Sequence, residues 1–276
     1  MPAATGSGIK MRAILKYPGA KWSMAEWVIS RFPRHHSYLE PFFGSGAVLF
    51  RKRRSNIETV NDLDGEVVNQ FDCIRKDPER LSREIYLTPY ARKVYEEAYT
   101  LAPKEPFERA RNFYIRCDMG RGYRTNGEKV GWKNDVQGRE KAYAAQYWAG
   151  LPECIIEAAE RLRGVQIENR RAQELIPRFR HENALIYCDP PYMLEARHGK
   201  QYLCEMTDDD HEELLELLKA HNGPAMISGY ETDLYNSVLK EWYRESTIAY
   251  SQVCSKKKEV LWMNFKPEVQ IGMDEL

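Results

Sequence analysis

Ala184-Leu185-Ile186-Tyr187-Cys188-Asp189-Pro190-Pro191-Tyr192 is the stretch on which the fold turns. The apolar run up to Cys188 predicts a buried strand, and a carboxylate, a rigid proline corner and an aromatic ring follow at its C-terminal end. Open α/β sheets hold their ligands beyond that end of their strands. The prolines remove N–H donors and stiffen the corner. Asp189 and the Pro190 carbonyl can then accept hydrogen bonds from an exocyclic amine, favouring a pyramidal nitrogen with a usable lone pair. Tyr192 can stack on a base swung out of a duplex. An amine held this way needs in-line positioning against a methyl donor more than it needs a strong base, so Asp189 reads as an orienting group. As a chance turn, such a tetrapeptide directly after a strand would be rare.

Strand and helix patterns alternate on both sides of this motif. Upstream, strands are predicted at Ser37 to Glu40 and Ile57 to Val60, with helices at Ala47 to Arg53 and, capped by Asp64, Gly65 to Arg75. From Lys76 to Gly164 the alternation stops and helical patterns dominate, at Tyr90 to Leu101, Pro106 to Cys117 and Pro152 to Leu162. It resumes with a strand at Val165 to Glu168 and a helix at Ala172 to Phe179. Beyond the motif come a helix at Asp208 to Ala220, a strand at Ala225 to Ser228 and a helix at Thr232 to Lys240. An antiparallel strand pair, Arg244 to Tyr250 and Glu259 to Phe265, ends the pattern. The fold class is therefore α/β with a mostly parallel sheet. The expected division is a flexible tail at 1–10, a catalytic domain at 11–75 and 165–276, and a helical insertion at 76–164.

Phe43-Gly44-Ser45-Gly46 sits in a strand-to-helix turn, where glycines let a ligand approach the backbone. Asp62 ends the next strand, about where nucleoside-binding sheets keep an acid for ribose hydroxyls. Leu49 stands where a dinucleotide fingerprint would have its third glycine, so S-adenosylmethionine fits better than a dinucleotide. Lys21 can meet its carboxylate and Tyr17 can offer a ring face, although either alone could be an ordinary surface residue.

Formal net charge is zero, which argues against a uniformly basic nucleic-acid binder. Between Arg109 and Lys141, however, nine basic residues face four acids, a local excess suited to phosphates or to a solvated helix face. Six scattered cysteines without a CxxC pair predict reduced thiols and no metal. No stretch approaches the ~18 apolar residues of a membrane span, and no export signal is evident, so a cytoplasmic protein is expected.

Together these residues resemble the DNA adenine methylase (Dam-like) family of N(6)-adenine methyltransferases across nearly the whole chain. Leu15-Lys16-Tyr17-Pro18-Gly19-Ala20-Lys21 is similar to its N-terminal element and Glu40-Pro41-Phe42-Phe43-Gly44-Ser45-Gly46 to its glycine loop. Asn61-Asp62-Leu63-Asp64 looks like its ribose element, Asp189 to Tyr192 its catalytic motif, and Lys257 to Trp262 its C-terminal strand. Tyr17 and Ala20 depart mildly from the family's usual tryptophan and glycine. The resemblance implies a Rossmann-like S-adenosylmethionine-dependent sheet and catalysis by Asp189, Pro190, Pro191 and Tyr192. It places Tyr17, Lys21, Asp62 and Asp189 against the methyl donor, with Glu40, Phe43, Gly44 and Ser45 in the donor loop. It further implies double-stranded DNA as partner, and a monomer or weak dimer is expected.

Target reading falls to the insertion. Asn126-Gly127 between β-prone flanks predicts a hairpin near 121–133, with Arg121, Arg124, Asn126 and Lys129 as its DNA contacts. A hairpin that only braces the helices is the plainer alternative. Lys256, Lys257 and Lys258 are expected to meet phosphates, and Arg51 to Arg54 to be a solvated helix end. Methylation of a cytosine 4-amino group, an RNA substrate, and a DNA-binding module without catalysis remain open. For donor and base to meet, Asp62 and Asp189 must open onto one cleft.

Overall fold

The computed structural model describes residues 11–134, 136, 143–197, 199–250 and 256–268, leaving aside the side chains of 249, 250, 256 and 257. The expected tail at 1–10 lies outside the described residues, as do the side chains of Lys256 and Lys257.

The chain runs through α1 (Ala25–Ile29), β1 (Ser37–Glu40), α2 (Ala47–Arg51), β2 (Ile57–Asn61) and α3 (Gly65–Lys76). Among the described residues five helices follow without a strand: α4 (Pro78–Tyr86), α5 (Arg92–Thr100), α6 (Pro106–Met119), α7 (Ala144–Ala149) and α8 (Leu151–Leu162). Then come β3 (Val165–Glu168), α9 (Ala172–Leu175), β4 (Ala184–Cys188), α10 (Asp208–Lys219), β5 (Ala225–Gly229), α11 (Asp233–Val238), β6 (Tyr243–Tyr250) and β7 (Lys256–Met263). Local chemistry sets several of these bounds. Asp64 accepts from the Glu66 N–H to cap α3, as expected, and Thr207 with Asp210 forms a capping box on α10. The helix expected at 172–179 turns 3₁₀ from Ile176, next to Pro177, which has no N–H for an α-helical bond.

Among the described residues seven strands form one sheet, ordered β3-β2-β1-β4-β5-β7-β6. The first five are parallel, and β7 runs antiparallel between β5 and β6. The order reverses direction between β1 and β4, where doubly wound sheets open a crevice. β4 is buried along its whole length, as a central strand covered on both faces must be. Leu185 and Tyr187 join Tyr38, Val60, Met226 and Leu261 in one core with α1 to α6 and α8. Ile186 and Cys188 join Leu39, Ile227 and Trp262 in a second core with α9 to α11. The two-residue period continues past the strand ends. Glu40, Asp62, Asp189, Ser228 and Glu259 therefore share the parity of the first face at one edge of the sheet. Because β7 is reversed, its beginning lies at this edge, with Val260 opposite Gly229.

Two further expectations change. Residues 123–130 form no strand ladder. An isolated antiparallel bridge between Gly120 and Trp132 closes the segment at its base, but the backbone beyond it is taken up by neighbours. The Thr125 N–H donates to Gln201 O at 2.8 Å and the Tyr95 hydroxyl to Val130 O at 2.6 Å. Asn126 folds on itself, its side chain accepting the Glu128 N–H at 3.1 Å. Nor are residues 51–54 simply solvated. The Lys52 ammonium is buried against Glu58 at 2.6 Å, and Arg161 of α8 grips the same carboxylate at 2.6 and 2.9 Å. Glu58 has inward parity on β2, and a carboxylate held there requires cations around it. Cys73, Cys117, Cys154 and Cys188 are buried free thiols and Cys204 is half-buried. Among the described residues no helix is long and apolar enough to cross a membrane.

Burial alone would raise the Glu58 pKa, but the Arg161 and Lys52 hydrogen bonds outweigh it and hold it below the usual carboxylate range. A depressed folded-state pKa stabilises the fold above the unfolded value, and that contribution disappears as pH falls through the folded value. Glu58→Ala leaves two cations without their shared partner and is expected to cost about 3–5 kcal/mol. Urea unfolding at neutral pH measures this; an unchanged midpoint would show that the triad does not hold β2 to α8.

Candidate active site

The cleft is built from the ends of β1, β2, β4 and β5, the start of β7, and the chain before α1. Tyr17-Pro18-Gly19-Ala20 makes a tight turn, with the Ala20 N–H donating to Tyr17 O at 3.2 Å and Gly19 at φ 70°. Proline followed by a left-handed glycine suits such a turn. It sends Lys21 back towards the sheet edge, and Lys21 and Tyr17 are both buried.

On the β1–β2 side, Gly44 takes φ 48° and donates its N–H to Asp62 Oδ2 at 2.8 Å. A Cβ on Gly44 would stand 3.1 Å from the Tyr17 ring, so glycine allows that ring to lie on the loop. The Asp64 N–H reaches the other Asp62 oxygen at 2.9 Å. Burial raises the Asp62 pKa to about 7, the backbone donors opposing it. Two N–H donors leave the carboxylate further acceptor positions. Glu40 accepts from the Tyr38 hydroxyl at 2.8 Å, and burial lifts its pKa to about 8. Ser45 is buried beside them, and Phe43 packs on Phe71 at 4.6 Å between ring centres, so it serves the core as well as the cleft wall.

On the β4 side, Asp189 Oδ1 collects three donors: Lys21 Nζ at 2.9 Å, Ser228 Oγ at 2.8 Å and the Tyr192 hydroxyl at 3.2 Å. The Ser228 and Tyr192 hydrogen bonds both go to Oδ1 and leave Oδ2 to other partners. Lys21 Nζ also lies 3.3 Å from Glu259 Oε1 and 4.8 Å from the Tyr192 ring centre, and donates to Gly19 O at 3.1 Å. Burial alone would loosen the Lys21 proton, but Asp189 and Glu259 overcome it and raise the pKa well above that of a free lysine. The single Tyr192 hydroxyl hydrogen is shared with Glu259 Oε1, the nearer acceptor, and its ring meets Tyr230 edge-on at 4.7 Å.

Asp62 and Asp189 share one cleft of about 760 Å³, with Tyr17, Lys21, Glu40, Phe43, Gly44, Ser45, Pro190, Pro191 and Tyr192 around it. Arg121 and Arg124 border it from the segment after α6. Arg121 donates to Asn134 O at 2.9 Å and Arg124 pairs with Glu128. The remaining expected DNA contacts are more scattered. The Asn126 amide donates to Lys200 O at 3.2 Å, Lys129 lies 5.9 Å from the Tyr99 ring centre, and Lys258 pairs with Glu231 at 3.4 Å.

Sequence reasoning missed Ser228, Glu259, Tyr230 and Tyr202. Ser228 and Glu259 had a signal: Ser228 is polar at an inward position of an otherwise apolar strand, and Glu259 is an acid at the head of an apolar run. Tyr202 had none, since it arrives from an irregular loop to donate to Pro18 O at 3.3 Å.

The chain is similar to the DNA adenine methylase of Salmonella typhimurium, 24% identical over 251 residues that cover 85% of each chain. The DNA adenine methylase of Escherichia coli K12 is 23% identical over 284 residues, covering 94% of this chain and 97% of the relative. Type II methyltransferase M.FokI of Planomicrobium okeanokoites is 21% identical over 269 residues, 88% of this chain but 39% of that larger protein. The family described as D12 class N6 adenine-specific DNA methyltransferase matches residues 17–256, and the chain belongs to it.

Proposed function

We propose that the protein transfers a methyl group from S-adenosylmethionine to the 6-amino group of an adenine swung out of double-stranded DNA, at a defined sequence. One observation carries this: Asp62 and Asp189 face a single cleft of about 760 Å³, within the size range of ligand pockets. The site suits the donor. Asp62, held by the Gly44 and Asp64 N–H groups, keeps acceptor capacity for ribose hydroxyls, and the Tyr17 ring lies beside it. The donor supplies an electrophilic methyl group on a sulfonium.

The chain's own residues bind and orient. Asp189 is fixed through Oδ1, which leaves Oδ2, with the Pro190 carbonyl, to accept from the adenine amine. Tyr192 and Tyr230 supply ring faces for the extruded base. Lys21, implied by the resemblance to meet the donor carboxylate, lies closest to the two acids of the chemical half. Residues 76–164 would read the DNA, with Arg121 and Arg124 nearest the cleft, and the enzyme would act in the cytoplasm as a monomer or weak dimer. Membership of an adenine-specific family disfavours the cytosine alternative, and the assembled acids disfavour a module without catalysis.

Expression in a host free of DNA methylation, followed by sequencing that detects modified bases, tests base, target word and activity together; unmodified DNA would refute the proposal. Asp189→Ala should lower transfer on the order of a thousandfold or more while the protein still folds, larger than the loss of a single oriented hydrogen bond; wild-type turnover would remove Asp189 from its role.

An ionised Asp62 accepts ribose hydroxyls better than a neutral one. With its pKa at about 7, affinity for S-adenosylhomocysteine should rise up to about tenfold from pH 6 to pH 8, and Asp62→Asn should abolish the trend. Calorimetric titration at both pH values decides this, and a flat wild-type profile would contradict it. Arg124→Ala should relax discrimination by roughly 5- to 100-fold at one base pair without altering donor binding; an unchanged site preference would exclude it from the reading surface.

A further inference from the structure

β7 brings to the cleft an acid for which the proposed reaction has no use. Glu259 is 3% exposed, follows three lysines and precedes an apolar run. A buried carboxylate at that position requires partners, and it has two: the Lys21 ammonium at 3.3 Å and the Tyr192 hydroxyl. Both also bond Asp189, and both reach the same oxygen, Oδ1. Lys21 therefore stands between two carboxylates, and Tyr192 is a donor shared by the same two.

The sharing has a geometric effect. With Asp189 as its only anion, Lys21 would be free to move across to both carboxylate oxygens and cover the one meant for substrate. A second anion on β7 draws the ammonium to the Glu259 side, where it meets Oδ1. The same contact fixes the Tyr192 hydroxyl and with it the ring that lies edge-on to Tyr230 at 4.7 Å. Ser228 completes the set from β5, donating to Oδ1 at 2.8 Å.

We infer that Glu259 is a positioning residue of the methyl transfer: through Lys21 and Tyr192 it locks Asp189 by Oδ1 and keeps Oδ2 turned to the substrate amine. This rests on the methyltransferase reading of the cleft. Glu259→Gln keeps the shape and an acceptor for Tyr192 but loses the charge that competes for Lys21. Single-turnover transfer at saturating DNA and donor should slow roughly 10- to 100-fold, in the range seen when one oriented electrostatic contact is lost. Dissociation constants for DNA and S-adenosylhomocysteine should stay within about threefold of wild type, because orientation acts on the chemical step rather than on binding.

The double variant Lys21→Met with Glu259→Gln should be no slower than Lys21→Met alone, since groups acting through one another are non-additive. Glu259→Asp keeps the charge but shortens its reach. If Glu259→Gln folds poorly, this second variant decides: positioning predicts slow transfer per folded molecule, whereas a purely structural role predicts the wild-type rate.

Wild-type rates in the folded single variants, or losses that multiply in the double variant, overturn the role of Glu259 and leave the methyltransferase reading standing. A wild-type protein with no transfer at all overturns both.

Discussion

One buried ammonium ties the two halves of the molecule's working edge together. Lys21 comes from a turn ahead of the first helix, yet it sits on acids at the end of β4 and the start of β7. Removing an ammonium from water costs several kcal/mol, and only well-placed partners offset that. Here they are two carboxylates, a backbone carbonyl and a tyrosine ring. With the packing of Tyr17 and the Tyr202 bond to Pro18 O, they hold the segment 17–21 across the sheet edge as a wall of the cleft. Conversely, Asp189 and Glu259 carry like charge side by side, an arrangement that requires a cation between them. Lys21 and the two acids thus depend on one another.

The sheet makes this possible through parity alone. Five strands place a polar group at the same edge and on the same face: Glu40, Asp62, Asp189, Ser228 and Glu259. Four of those strands are parallel and deliver their ends. β7 is reversed and delivers its beginning, which lets a residue far along the chain join residues near its start. The two apolar cores behind this edge hold the strands in register, so the placement of these five groups is inherited from core packing.

Much of this was legible in the sequence because the relevant signals are local. A wholly apolar strand before Asp189 marks a central position, and Asp64 announces α3 by capping it. The alternation of strand and helix gives the parallel sheet. What could not be read depends on contacts distant in sequence. Asn126-Gly127 carries the local signature of a tight hairpin, but Gln201 O and the Tyr95 hydroxyl claim its neighbours' backbone groups. The charged run at 51–54 looks solvated until Glu58, gripped also by Arg161, takes up Lys52. Lys21 and Tyr17 could each pass for surface residues, and only the turn through Gly19 buries them. Glu259 was visible as an acid between a lysine run and an apolar run, but its importance depends on which strand lies beside it.

The bonding of Thr125 has a consequence for how such a chain can diverge. Its N–H donates to Gln201 O, and its hydroxyl accepts the Leu203 N–H at 2.7 Å. The 201–205 stretch is in turn held by Glu205, which pairs with Arg197, and Arg197 donates to the carbonyl of Tyr192 at 2.6 Å. The segment beyond α6 and the loop after the Asp-Pro-Pro-Tyr corner are thus laced together through main-chain atoms. An insertion or deletion on one side would strand donors and acceptors on the other, so a change of length in one stretch calls for a compensating change in its partner.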